Sequence, residues 1–353
     1  MIGAMEDRII DWRARFGVML SLWLISTVVL LACGSTVTST PESVTVRLAP
    51  SGGGDFESLE AALEAVPPGS TINLDPGTYS LTAALDIKKP MKLVGAGVNQ
   101  TFIVSTVAGY ALRVSGSGPF AATRITFRHE GQEPADVVVI EDGEFAFANC
   151  RFTGAFTPEG EEQKAGLRIK GGAVGVVQDS EAVANSVVGI WIMDQAQPLL
   201  EWNTLADNAL FGILYEGSTR GTASQNAVTG AGAAGIQVAG QAAPTLENNG
   251  CMQNGTGIAF LDQAQGIASR NECSRNDTVG ISVGNEAQPA LEGNTCNQNL
   301  YGIVYAGSKG GVARQNSVTQ NSVGVLIGED ASPEMEGNNI YGNEEEDIRD
   351  LRP

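Results

Sequence analysis

Short runs that alternate apolar and small or polar residues recur at a fixed interval through the second half of the chain. Gly166, Gly189, Gly212, Gly235, Gly257, Gly280, Gly302 and Gly324 stand 22 or 23 residues apart. From Gly189 onward each opens a run such as Gly-Ile-Trp-Ile, Gly-Ile-Leu-Tyr, Gly-Ile-Gln-Val or Gly-Ile-Ala-Phe. Alternation with period two predicts strands, and the constant interval predicts coils stacked on one another. Two asparagine series share the interval. One is Asn203, Asn226, Asn249, Asn271, Asn294, Asn316 and Asn338, with Ser180 in the preceding slot. The other is Asn185, Asn208, Asn254, Asn276, Asn299, Asn321 and Asn343, interrupted at Ala231. Asn suits a repeated bend because its amide tolerates left-handed backbone and both donates and accepts, so stacked Asn predict hydrogen-bonded ladders.

The pattern has a longer beat. Leu200, Ala223, Leu246, Ala268, Leu291, Ala313 and Met335 mostly alternate large and small. Ile192, Tyr215, Val238, Phe260, Val283, Tyr305 and Ile327 alternate in the opposite sense. A coil with Leu at one site has an aliphatic residue at the other, and a coil with Ala has an aromatic ring, which holds the interior volume nearly constant. Pro198, Pro244 and Pro289 alternate with Gly221, Gly266 and Gly311 at one bend. The repeat is therefore two coils, four copies between residues 166 and 343. Cys251, Cys273 and Cys296 continue a column of Leu205, Val228, Val318 and Ile340, which predicts buried small hydrophobes in place of disulfides.

Phe56, Leu59, Leu63 and Val66 fall on one face of a helix over 55–66, ahead of Pro76-Gly-Thr-Tyr79 and Leu93-Val-Gly-Ala-Gly97. This opening, with the later Gly-Ile-x-Val…Ala-x-Pro-x-Leu-Glu-x-Asn repeats, resembles right-handed parallel β-helix proteins of the pectin-lyase-like superfamily, over about residues 45–345. It is most similar to the pectin methylesterases and to the carbohydrate-binding and sugar-hydrolysis (CASH) repeat group. The resemblance implies an all-β, single-stranded solenoid of about twelve coils capped by an N-terminal helix. The β-helix domain is expected over 45–353, with its cap over 45–80 and regular double coils over 166–343.

Ahead of it, Arg8, Arg13 and Arg15 precede a 17-residue uncharged run, Phe16 to Ala32, ending in Leu31-Ala32-Cys33. A basic segment, an apolar core and small residues read as a secretory signal over 1–32. Leu-Leu-Ala-Cys resembles a bacterial lipobox, so Cys33 is the expected lipidation site and 33–44 a polar tether. The chain is expected outside the cytoplasm, held at a membrane by that lipid.

Composition narrows the partners. Forty acids against 21 bases give a formal charge of −19, without the basic footprint of a nucleic-acid binder. One histidine, His129, leaves no His-based metal site or Ser-His-Asp triad. No cofactor or metal is expected; a Ca²⁺ ion enters only if the superfamily's lyase chemistry applies. The esterase resemblance at Phe147-Ala-Asn-Cys-Arg-Phe-Thr-Gly154 stops short, because Ala155-Phe156 stands where those enzymes carry a Gln-Asp pair. The column Glu201, Glu247, Glu292 and Glu336 lies on alternate coils, ~10 Å apart and too far to chelate one ion. The candidate ligand contacts are Trp191, directed outward by alternation, with Asp194 and Trp202. A charged surplus, Thr157 to Lys164, is expected to leave the rod as a loop. These features point to a surface binding or scaffold module for a polysaccharide or a partner protein. The alternative is a polysaccharide lyase or epimerase with Arg128 or His129 as base and Glu159 or Glu161 beside it.

Overall fold

The computed structural model describes residues 42–353 apart from Ser117; the signal sequence and Cys33 lie outside the described residues. Three parallel sheets run the length of the described chain: sheet A of thirteen strands, and sheets B and C of twelve each. After Thr45–Leu48 and Ser70–Leu74, both in sheet A, successive strands visit B, C and A in turn, ending with Glu346–Asp350 in sheet C. The result is a parallel β-solenoid of about thirteen turns, one more than the sequence spacing gave, with a single short helix, Leu59–Ala65.

The helix is shorter than its apolar face suggested. It starts at Leu59 because the Ser58 hydroxyl accepts from the Ala61 amide at 3.2 Å and caps it. Leu59, Ala62 and Leu63 are buried, so the helix closes one end of the interior. From there one continuous core runs from Leu48 to Ala331. The alternation of volumes is realised: Leu200, Ala223, Leu246, Ala268, Ile192, Tyr215, Val238 and Phe260 all lie fully inside. So do Cys251, Cys273 and Cys296, in register on adjacent strands and as free thiols.

Both ladders form. The Asn249 Oδ1 accepts from the backbone amide of Asn226 at 3.0 Å and from its Nδ2 at 2.9 Å. The Asn226 Nδ2 also donates to the Leu200 carbonyl at 3.0 Å. At Ala231 the second series loses its side chain, but the Ala231 amide still donates to the Asn254 Oδ1 at 3.0 Å. The left-handed residue, however, is not the ladder Asn. It is the residue before the first ladder position in each coil, as in Asp179, Trp202, Gln225, Asn248 and Arg270, with φ between 48° and 57°. The ladder Asn follows that bend, and its amide is aimed along the axis.

The repeated glycines answer to the second ladder. A Cβ on Gly189 would stand 2.6 Å from the Gly212 carbonyl oxygen and 2.7 Å from the Asn208 Nδ2. The Pro–Gly alternation has a similar cause: Gly221 and Gly266 take φ of +104° and +103° directly over Pro198 and Pro244. At the far end, the acids 344–347 lead into the closing strand. Glu346–Asp350 pairs with Val323–Ile327 as the last strand of sheet C. The Asp347 Oδ1 accepts from Asn343 Nδ2 at 2.9 Å, so an acceptor-only side chain terminates the ladder.

Candidate functional site on the outer face of sheet C

Sheet C keeps five-residue strands through all the regular coils, where sheet A falls to three after Gln197–Glu201, and the chain's largest insertion lies beside it, between Thr153 and Ala165. Register places Asp86, Arg113, Val139, Arg168, Trp191, Leu214 and Gln237 in one outward column. Ala259, Ser282, Val304 and Leu326 continue it.

The centre of this face is a compact polar and aromatic cluster. The Asp136 Oδ1 accepts from the Ala165 amide at 2.7 Å and from the Arg168 Nε at 3.1 Å. Arg168 also donates to the Glu162 carboxylate at 3.0 Å and to the Gln163 carbonyl. Its guanidinium lies over the Trp191 ring, 4.5 Å from the centroid. The indole Nε1 donates to Glu216 at 3.1 Å. Burial pushes the Asp136 carboxyl above its ordinary range, with the Arg168 charge opposing it. Hydrogen bonds from Arg168 and Lys164 hold the exposed Glu162 below its own. Ala165, Val187, Val188, Trp191 and Leu214 form a buried apolar patch on the outside of the coil, flanked by Met193 and Phe211.

Two expectations are corrected here. Trp191 does point out of the coil, but it is only 7% exposed, because Arg168, Glu216 and the neighbouring apolar side chains cover it. The segment 157–164 does not leave the rod. It is tied back by the Ala135–Phe156 bridge and by the Thr157 amide donating to the Ser186 Oγ at 2.7 Å. The Lys164 amide donating to the Thr157 Oγ1 at 2.8 Å closes the loop. Its Glu162 and Gln163 then reach Arg168.

The lyase-like quartet is not brought together. His129 is 3% exposed, neither ring nitrogen has a hydrogen-bond partner, and burial holds its pKa low. Arg128 pairs with Glu130 at 2.7 Å. Among the described residues, no hydrogen bond or ion pair joins either side chain to Glu159 or Glu161. Nor do Trp191, Asp194 and Trp202 form one site. Asp194 lies in the turn from sheet C to sheet A, accepting from the Gly171 amide at 2.9 Å. Trp202 lies at the corner between sheets A and B, 55% exposed. Of the glutamate column, Glu247 pairs with Arg270 and Glu336 with Arg314.

Sequence reading missed Asp136 and Arg168. Arg168 carried a signal, since it occupies the same slot after Gly166 that Trp191 occupies after Gly189. Asp136 carried none, because Val137 replaces the marker glycine in its coil. North of the cluster the face is ionic: Arg113 holds Asp86 at 2.6 Å and Glu141 at 3.7 Å, and Lys170 holds Glu141 at 3.3 Å. Here Arg113, Lys164, Arg168 and Lys170 are each committed to a carboxylate, and Asp136 is enclosed.

A parallel β-solenoid with a roofed outer sheet is thus the class that fold and site define. The family described as right-handed beta helix region matches residues 98–250 and, overlapping them, 203–344, and the chain belongs to it. A search of curated proteins gave no match. Among solved structures the chain is similar to the A-module of the mannuronan C-5 epimerase AlgE4 of Azotobacter vinelandii. The identity is 16%, the TM-score 0.67, and the match covers 84% of this chain and 94% of that one. It is also similar to the Dettilon tailspike protein, at 14% identity and a TM-score of 0.67, covering 86% and 68% of the two chains. A third is the periplasmic alginate epimerase AlgG, at 15% and 0.62, covering 86% and 83%. At these identities the likeness is one of fold.

Proposed function

We propose that the protein is an extracytoplasmic β-helix module, anchored through a lipid on Cys33, that binds a polysaccharide along the outer face of sheet C without transforming it. The observation that carries this reading is the commitment of the face's cations Arg113, Lys164, Arg168 and Lys170 to carboxylates, which leaves a rigid platform whose positive charge is already neutralised. The five-residue strands, the roofed cluster and the outward column of Gln237, Ala259, Ser282, Val304 and Leu326 beyond Leu214 give a surface on which a chain can lie. Its structural neighbours, a mannuronan C-5 epimerase module, a periplasmic alginate epimerase and a tailspike protein, support a polysaccharide as the partner. The anchor is supported by the sequence of residues 1–33 alone.

One preparation tests both parts. Full-length protein from membranes, in detergent, is presented to a panel of neutral and acidic polysaccharides, and the polymers are then analysed. Retention of at least one polymer, with its length and sugar composition unchanged, is expected. The double variant Gln237→Trp, Ser282→Trp places bulk at two half-buried outward positions and should weaken retention by about tenfold or more, or ~1.4 kcal/mol. New unsaturated ends or altered epimer content would replace this reading with the lyase or epimerase. No retention, or retention indifferent to the double variant, would sink it. Cys33→Ser should leave the membrane fraction or remain an uncleaved precursor; unchanged processing and attachment refute the anchor.

A further inference from the structure

At the corner between sheets A and B the chain turns on two residues, and the first of them is left-handed in every coil from Arg124 onward. Ten positions make up this corner, and nine hold Gly or a polar residue. The tenth is Trp202, at φ 57°. Left-handed backbone is unfavourable for a bulky side chain, whereas Gly and Asn accept it readily. A fold that only needed the bend has better residues available and uses them in the adjoining coils.

Trp202 returns nothing to the core. It is 55% exposed and belongs to neither buried cluster, in contrast to Trp191 eleven positions earlier in the same coil. Residues that break a local rule without structural compensation mark functional sites. What surrounds the indole indicates the ligand. Asp179 and Gln225 hold the same corner position in the coils on either side, one strand spacing or ~4.8 Å away along the axis. The Gln178 Nε2 donates to the Asp179 carboxylate at 2.9 Å, so a donor and an acceptor stand together at the corner. An apolar plate flanked by donors and acceptors fits a ligand with one apolar face and a hydrogen-bonding edge. Tyr and Trp are suited to surfaces of that dual character. A pyranose ring has this form, with axial C–H groups on a face and hydroxyls around its rim. A protein interface core would need contiguous apolar surface. The other exposed large apolar side chains lie elsewhere, as Val174 and Ile267 at the start of sheet A strands and Leu210 and Leu300 beside sheet C. Asp179, at the same corner one coil earlier, and Glu201, next to Trp202 in the chain, place two carboxylates at this corner, which disfavours a uronate.

We propose that Trp202 is the stacking platform of a separate sugar-binding site at the A–B corner, selective for neutral glycans. It shares the ligand class of the sheet C reading but none of its residues. The test uses the full-length protein, affinity electrophoresis and three neutral probes: xyloglucan, galactomannan and a soluble β-1,3-glucan, with polygalacturonate as the anionic control. At least one neutral probe should retard the wild type, and polygalacturonate should not. Trp202→Gly should weaken that retardation about tenfold, the size expected for loss of one stacked ring. Trp202→Tyr should restore most of it. Because Gly relieves the left-handed bend, the Gly variant should melt no lower than the wild type, so its lost binding is not misfolding. The proposal is overturned if no neutral probe is retarded, if the Gly variant binds as the wild type does, or if that variant melts lower. The Gln237→Trp, Ser282→Trp variant separates the sites. Binding lost only there removes the corner site and keeps the sheet C face, while binding lost only in the Trp202 variants does the reverse.

Discussion

Up to Phe145, successive coils differ in length: Ser70 is in register with Met91, Met91 with Phe120, and Phe120 with Phe145. The next step, from Phe145 to Gly175, takes 30 residues and includes the tied-back loop. Beyond it the steps settle at 22 or 23. The two regions fill the same solenoid by different means. The irregular coils stack aromatic rings, with Phe147 packed on Phe120, Phe127, Phe145 and Phe152 at centroid distances of 5.0–6.2 Å. The regular coils use one ring in every second coil and rely on two amide ladders. Ladders require identical bends at identical spacing, so they leave no room for insertions. Ring stacks tolerate unequal coils, and the insertion that roofs the sheet C cluster occurs there. The candidate site sits where the two modes meet, with Asp136 before the insertion and Arg168 and Trp191 after it.

The sharpest way to break the irregular region is at its central ring. Phe147 is fully buried among four other phenylalanines, so Phe147→Ala opens a cavity that rigid neighbouring coils cannot collapse around. A loss of about 4 kcal/mol in unfolding free energy is expected, read by urea denaturation. A loss below about 1 kcal/mol would mean that the stack is loosely packed.

The matching break in the regular region is Asn249→Ala. It strips the acceptor from both the backbone amide and the Nδ2 of Asn226, and the donor from the Ala223 carbonyl and the Asn271 Oδ1. All lie inside the rod, where each unsatisfied group costs about 1–3 kcal/mol. Some relaxation around the smaller side chain leaves an expected loss of about 3 kcal/mol, somewhat less than at Phe147. The second ladder carries such a gap naturally at Ala231, whose own amide stays paired to Asn254 as the residue 249 amide would to Asn271. An Asn249→Ala loss no greater than a surface substitution would show that the ladder is incidental to stability.

The regular coils were legible because every interior column repeats at one interval. Leu200 with Ile192 and Ala223 with Tyr215 were paired from spacing alone, and both pairs lie inside. The bend falls one residue before the ladder, and the sequence hides this because runs such as Asn248-Asn249 put the same residue type on the left-handed position and on the ladder. Trp191 shows a second limit. Alternation gives the direction of a side chain, but not what covers it. Its cover comes from Arg168 and Glu216, one coil away on either side, and these contacts depend on how outward side chains lie across adjacent strands. Asp136 and Arg168 were harder still, since 32 residues and the insertion separate them and no column joins them in the sequence. The site was less visible than the fold because it lies where the period fails.

The smallest expected effect has the opposite sign and tests whether the volume alternation alone selects the rings. Tyr215 and Tyr305 occupy the same column as Phe260, on alternate coils, and all three are fully buried. Neither tyrosine hydroxyl has a hydrogen-bond partner among the described residues, and burial pushes the Tyr215 hydroxyl well above its usual pKa. If the column needs only an aromatic volume opposite Ala223, the hydroxyl is an uncompensated polar group. Tyr215→Phe should then stabilise the protein by about 1 kcal/mol, raising the urea midpoint without changing the slope. The same change at Tyr305 should add to it, because three coils, the Phe260 ring in the middle one, separate the sites. Destabilisation instead would show that the hydroxyl is used in the interior. The regular coils would then be built around polar contacts in their core as well as at their corners.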